Sequence, residues 1–262
     1  VAKIAALRRS LASPRPAPLS VGVVVVALGA VVLSMNHLRP VTDAVVYRFG
    51  AELIVVSPDD LYVASSSNAL PFTYPPFAAL LFATLAMVSD AVATVLVSIV
   101  TLVALLRVSA LVWPWAFVEV GIVDRVHLAR QRAIATAAVA LTPLVFALEP
   151  VWETLKYGQI NIVLCWLVVE DLLAPRSRRW RGVLVGVATG VKLTPGAFIG
   201  LQAIGRRWRD VGLAVVTTVG TVAIGFIAAP RASWDYWFGG VLGADCVGAA
   251  EFGGNQSLNG LT

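Results

Sequence analysis

Long apolar runs separated by short polar loops recur along the whole chain. Runs near the length that crosses about 30 Å of hydrocarbon read as membrane spans. The first covers residues 19–35, and no small-residue cleavage site follows it, so a retained span is expected rather than a signal peptide. A long loop at 36–73 comes next, too long for a simple turn and of the kind that usually carries function. Within it Asp43, Tyr47 and Gly50 recur at helical spacing, as do Val45, Phe49 and Leu53. That pattern predicts a short amphipathic helix lying along the membrane surface.

The second span is expected over 74–88, returning inward, and the third over 91–106, going out. A short piece at 110–123, interrupted by Trp113-Pro114-Trp115, returns or re-enters; residues 133–148 then exit and 160–173 come back. The stretch 182–204 has arginine clusters at both ends yet is one span long. A single crossing would put the second cluster on the wrong side. A hairpin of two short helices, broken at Lys192-Leu193-Thr194-Pro195, keeps both clusters together. Gly182, Gly186 and Gly190 supply a small-residue face for close helix packing. Residues 212–229 cross outward, and the tail 230–262 ends outside. The fold class expected is all-α: one polytopic domain over 1–262 with a long first external loop and a broken helical hairpin.

Composition agrees with this pattern. Hydrophobic residues make up 58%, charged residues 13%, and mean hydropathy is +0.83, against about 25% charged in an ordinary soluble domain. Too little polar surface remains to cover a soluble protein. The net charge of +5 invites a nucleic-acid reading, but 14 of the 20 Lys and Arg sit in four loops between apolar runs. These hold Lys3, Arg8, Arg9 and Arg15; Arg125, Arg130 and Arg132; Arg176, Arg178, Arg179 and Arg181; and Arg206, Arg207 and Arg209. Such a bias marks cytoplasmic loops and argues against nucleic-acid partners. Cys165 and Cys246 form no disulfide framework. The chain begins at Val1 and stops at Thr262, which suggests a fragment.

The outer side then gathers the isolated acids and amides. Asp43, just beyond the first span, faces the Pro71-Phe72-Thr73-Tyr74-Pro75-Pro76-Phe77 approach to the next. Sugar transfer from a lipid phosphate needs one base for the acceptor hydroxyl, because the phosphate leaves as a stable anion; glycoside hydrolysis usually needs two carboxylates. Asp43 also suits a plain helix-start acid. Tyr74 before two prolines is either a cleft wall or an interfacial aromatic. Glu149, Glu153, Lys156, Gln159 and Asn161 meet outside beside Trp152 and Tyr157, a sugar-binding chemistry that a water-facing loop would share. Lys192, inside the hairpin, balances a lipid phosphate or bridges to Glu170, Asp171 or Glu119. Asn255-Gln256-Ser257 matches a glycosylation acceptor, with a substrate-binding amide pair preferred. No His, Cys or carboxylate cluster has metal-ligand spacing, His37 and His127 being far apart, and no metal or cofactor is expected.

Taken in order, Thr42-Asp43, Leu70-Pro71-Phe72-Thr73-Tyr74-Pro75-Pro76, Tyr157-Gly158-Gln159-Ile160-Asn161, Gly186-x3-Gly190-Val191-Lys192-Leu193-Thr194-Pro195 and Asn255-Gln256-Ser257-Leu258-Asn259-Gly260 resemble glycosyltransferase family 87, the polyprenol-phosphate-mannose-dependent mannosyltransferases of actinobacteria. The resemblance implies a GT-C type multi-span fold in the plasma membrane with an extracytoplasmic active site. It also implies inverting transfer of mannose from a polyprenyl-phosphate donor, which is substrate rather than cofactor, to a phosphatidylinositol mannoside or lipoglycan acceptor. Asp43 falls on the family's catalytic aspartate, and Gln159, Asn161, Asn255 and Gln256 fall on motif positions near the cleft. Tyr47, Tyr74, Glu153 and Lys192 complete the expected substrate contacts. Family members continue through more spans than this chain holds. Two rivals stand beside this reading: a decaprenyl-phosphate-arabinose-dependent arabinofuranosyltransferase, and a lipid or solute transporter, which broken helices and an intramembrane lysine also fit.

Overall fold

The computed structural model describes residues 42–63, 66, 70–119, 145, 148–173 and 178–239, with the side chains of 114–119 left aside. Within them the fold is helical throughout. In chain order the helices are α1 (Thr42–Val56), α2 (Pro76–Phe82, continued by a 3-10 turn over Ala83–Met87), α3 (Asp90–Glu119), α4 (Glu149–Tyr157) and α5 (Asn161–Leu173). They continue with α6 (Val183–Val191), α7 (Ala197–Ile204), α8 (Trp208–Ala228) and α9 (Pro230–Phe238). The expected spans at 19–35 and 133–148, His37, His127, Cys246, and Arg8, Arg9, Arg15, Arg125, Arg130, Arg132 and Arg176 fall wholly or mostly outside the described residues.

The helix predicted in the first long loop is present as α1, but its packed face differs from a helix resting on a surface. Ala44, Val45, Val46, Tyr47, Gly50, Ala51 and Ile54 are buried, while Phe49 and Leu53 are only half-buried. Gly50 lies where the ring of Phe72 presses; a Cβ there would sit 2.3 Å from the ring edge. The Tyr47–Gly50–Ile54 stripe therefore docks α1 against other helices.

Two expectations about crossings are overturned. The second span shrinks to Pro76–Met87, because Pro75 and Pro76 start the helix and it tightens to 3-10 after seven residues. At helical rises this segment is about 20 Å long, short of the hydrocarbon thickness. The third and fourth pieces are one helix, α3, with 30 residues and about 45 Å of length. The span expected over 91–106 stops one residue before Arg107. In the fold, Arg107 donates Nε and Nη2 to Glu170 of α5 at 2.9 Å each, so the charge is paired and the helix continues. At its other end Asp90 binds Arg48 of α1, and Ser89 supports the first turn. The helix thus runs from the α1 end toward the arginine-rich end, opposite to the direction expected for 91–106. The segment of α3 over Asp90–Trp113, and α8, are long and apolar enough to cross a membrane. Helix α5, Asn161–Leu173, covers the apolar piece expected at 160–173 to within one residue.

The broken hairpin is present. Gly182 approaches the Asp210 carbonyl, Gly186 approaches Ala214 and Thr217, and Gly190 approaches Thr221, so α6 ascends parallel to α8. Lys192 is extended, Thr194–Gly196 forms a 3-10 turn, and α7 returns to the start of α8. Both arginine clusters consequently meet: Arg181 Nη2 lies 3.1 Å from Asp210 Oδ2, and Arg209 Nη2 donates to the Arg179 carbonyl at 2.8 Å. Asp171 fastens the corner by accepting the Gly182 and Val185 N–H groups at 2.7–3.0 Å.

Candidate active site

The far end of the hairpin from the arginines meets the first turn of α1 and the α4–α5 turn. Gly158 makes that turn possible. It ends α4 at φ 71, ψ 33, a left-handed conformation open to glycine at little cost. The Gln159 N–H then closes on the Thr154 carbonyl at 2.8 Å, and the chain reverses into α5.

This reversal aligns three polar side chains into a chain of donors. Lys192 Nζ donates to Asn161 Oδ1 at 3.0 Å. Asn161 Nδ2 donates to Gln159 Oε1 at 2.7 Å. Gln159, its acceptor occupied, donates its amide to the Asp43 carboxylate. Each bond polarises the next, so the line leads from a cation to an anion through two amides. All four side chains are half-buried rather than sealed. Burial raises the Asp43 pKa from 3.8 to about 6, against the opposing pull of the Lys192 charge and the Gln159 hydrogen bond.

Tyr47 and Tyr74 hold this line rather than project from it. Tyr47 is fully buried; its hydroxyl accepts from the Ile160 N–H at 3.2 Å and pairs with the Tyr74 hydroxyl at 3.1 Å. It thereby ties the turn after Asp43 to the peptide between Gln159 and Asn161. Tyr74 carries Lys192 over its ring face, 5.5 Å from the centroid, and Tyr62 donates to the Tyr74 carbonyl at 2.7 Å. Tyr47, expected among the substrate contacts, is placed in the fold as a clasp between α1 and the α4–α5 turn. Tyr47→Phe leaves the buried Ile160 N–H unpaired, so unfolding in detergent is expected to show a loss of about 1–3 kcal/mol. An unchanged midpoint would remove the clasp role.

Glu153 is not brought to this line. It pairs with Lys156 at 3.2 Å on the exposed side of α4. Glu170 and Asp171, considered as partners for Lys192, are taken by Arg107 and by backbone N–H groups. Asn255 and Gln256 lie outside the described residues.

One feature of the site escaped the sequence. An apolar cavity of about 290 Å³ opens beside it, lined by Phe82, Leu85, Val97, Leu164 and Val191 among others. Phe82 stacks on Tyr47 at 4.7 Å, and Ile160 and Val191 adjoin Gln159 and Lys192 in sequence, so cavity and polar line share a wall. No residue pattern announces it, since its lining comes from α2, α3, α5 and α6.

The profile of glycosyltransferase family 87 matches residues 72–262. The chain belongs to glycosyltransferase family 87. This family 87 chain is 34% identical over 198 residues to a polyprenol-phosphate-mannose-dependent alpha-(1-2)-phosphatidylinositol mannoside mannosyltransferase of Mycobacterium tuberculosis, a match covering 73% of this chain and 45% of that relative. A protein of the same description from Mycolicibacterium smegmatis is 35% identical over 198 residues, covering 73% and 43%. A Mycobacterium tuberculosis polyprenol-phosphate-mannose-dependent alpha-(1-2)-phosphatidylinositol pentamannoside mannosyltransferase is 35% identical over 195 residues, covering 73% and 42%. The chain therefore spans less than half the length of these curated relatives. No solved structure matches it.

Proposed function

We propose that this chain carries the catalytic face of a membrane mannosyltransferase that moves mannose from polyprenyl-phosphate-mannose to a phosphatidylinositol mannoside or related lipoglycan, on the extracytoplasmic side and with inversion. The observation that carries the reading is the Asp43–Gln159–Asn161–Lys192 line beside an apolar cavity. The described relatives supply the sugar, the carrier and the acceptor class. The arginines gathered at the opposite end of α6 and α8 support the outward orientation.

In the mechanism, Asp43 takes the proton of an acceptor hydroxyl as that oxygen attacks the anomeric carbon. The bond from that carbon to the phosphate oxygen breaks, and polyprenyl phosphate departs with the bonding pair as an anion. One displacement inverts the centre, and no second carboxylate is required. A carboxylate whose pKa is raised toward neutrality is a stronger base than an ordinary aspartate and remains ionised at pH 7. Lys192 faces the departing phosphate and offsets its charge. The apolar cavity accommodates the first isoprenyl units, and Asn255 and Gln256 hold sugar hydroxyls.

Transfer of labelled mannose from its polyprenyl carrier by membranes containing the protein tests the reading. Incorporation from the arabinose carrier alone would replace it with the arabinosyl reading, and uptake without transfer would replace it with transport. Lys192→Gln is expected to raise the donor KM about 10- to 100-fold, the loss of a charged hydrogen bond to phosphate, with a smaller fall in kcat. An unchanged donor KM would take Lys192 away from the phosphate.

A further inference from the structure

The end of the fold remote from Asp43 carries a second collection of charge that the transfer reaction does not use. The hairpin joins two segments separated in sequence, the turn before α6 and the turn between α7 and α8, through the Arg209 to Arg179 hydrogen bond. Arg178, Arg179, Arg206 and Arg209 are exposed there and Arg207 half-buried. The acids nearby are already engaged: Glu170 by Arg107, Asp171 by the Gly182 and Val185 N–H groups, and Asp210 by Arg181. Arg178 shares the field of Glu170, which Arg107 already holds, and Arg179, Arg206 and Arg209 form no ion pair among the described residues.

Three further observations make this a built surface rather than a scatter of loop charge. Helix α8, with 21 residues, begins at Arg207 with no side chain capping its N-terminus, so its first-turn N–H groups and dipole face the same cluster. Arg206 holds φ 53, a backbone conformation that glycine adopts freely and arginine only with strain, although Gly205 stands next to it. Trp180, under the Arg178 guanidinium at 4.9 Å, and Trp208, which is exposed, mark the level where indole rings settle in headgroups.

We propose that the joined ends of α6, α7 and α8 form a binding site for the phosphate group of an anionic phospholipid in the leaflet opposite the active site. The guanidinium groups and the uncapped start of α8 grip the phosphodiester, and the two indoles lie against the glycerol and upper acyl region. The site stands independently of the transfer reaction.

Native mass spectrometry of the full chain, released from detergent with phosphatidylglycerol or phosphatidylcholine added, reads the lipid retained. Preferential retention of phosphatidylglycerol is expected, weakened about five-fold for each arginine removed in Arg178→Gln and Arg206→Gly. Arg206→Gly relieves the backbone strain, so its lipid-free thermal midpoint is expected to be kept, which separates lost binding from lost folding. Equal retention of the two lipids, or undiminished phosphatidylglycerol binding in the double variant, would overturn the proposal. Displacement of the lipid by millimolar inorganic phosphate would overturn it too, by making the ligand a soluble anion.

Discussion

Asp43→Asn is expected to abolish mannosyl transfer and, at the same time, to make the fold more stable at alkaline pH. Loss of a general base lowers rates by about 10²–10⁴-fold, and asparagine keeps the size of the side chain and its contact with Gln159. The stability effect follows from burial. The Asp43 carboxyl titrates near 6 in the fold and near 3.8 when unfolded. Below pH 3.8 both states hold the proton and the residue contributes nothing. As pH rises through this window the unfolded chain releases its proton first, so stability falls, and above pH 6 the folded state carries a penalty on the order of 2–3 kcal/mol. Asparagine has no such penalty.

Thermal unfolding in detergent should therefore show Asp43→Asn above the parent at pH 8 and level with it at pH 4. In the parent, kcat/KM should rise with pH through about 6, as the carboxylate forms. An ordinary helix-start acid behaves oppositely: it stabilises the first turn when charged, so its amide variant is weaker at pH 8. Loss of stability at pH 8, or retention of transfer, would remove Asp43 from the base role. Few substitutions separate a catalytic acid from a structural one so directly, because here the two roles give opposite signs.

The polar half of the site was legible in the sequence because its members occupy positions with local reasons to be polar. Gln159 and Asn161 follow a helix-ending glycine, Lys192 ends a small-residue helix, and Asp43 lies in the first turn of another. Each is an exception to its surroundings, and exceptions can be read residue by residue. Tyr47 and Tyr74 were also legible as residues that matter, but their task was not. Whether a tyrosine faces substrate or closes a hydrogen bond to Ile160 depends on packing between segments 113 positions apart. The cavity lies at the far limit of legibility: Phe82, Val97, Leu164 and Val191 are ordinary apolar residues until four helices place them round one space.

The crossings show the same division in a different form. The break at Lys192–Pro195 and the glycine ladder are local features with direct backbone consequences, and both appear as expected. Arg107 reads locally as a loop residue. Only the Glu170 pair on another helix makes it tolerable inside α3, and a hydropathy count cannot know of that pair. Correcting it resolves another misreading, since one long α3 from the Asp90 end to the basic end does the work assigned to an outward span and a separate return. The same correction accommodates a short Pro76–Met87. That segment carries the chain from Pro76, packed near Gly225, past Tyr47 to Asp90.

The glycine ladder also gives the second large effect, Gly190→Ala. A Cβ at 190 would sit 2.1 Å from Thr221 Oγ1 and 2.6 Å from Thr221 Cβ, so α6 and α8 must part by roughly 1 Å to admit it. Lys192 follows two residues later, and its bond to Asn161 fixes the cationic end of the polar line. A displacement of that size at a reacting centre costs about 10²-fold in rate, here without touching any residue of the line. The cause can be proved by moving the obstruction. Removing the hydroxyl and the methyl, with Thr221→Ala, still leaves the Thr221 Cβ 2.6 Å away and should restore transfer to Gly190→Ala only in part. Thr221→Gly clears the space and should restore most of it, less about 1 kcal/mol of helix stability for the added glycine. Gly200 on α7 has nothing within 4 Å of a Cβ, so Gly200→Ala should leave transfer intact and firm the helix slightly. If Gly190→Ala transfers mannose as well as Gly200→Ala does, close approach of α6 to α8 is not what positions Lys192.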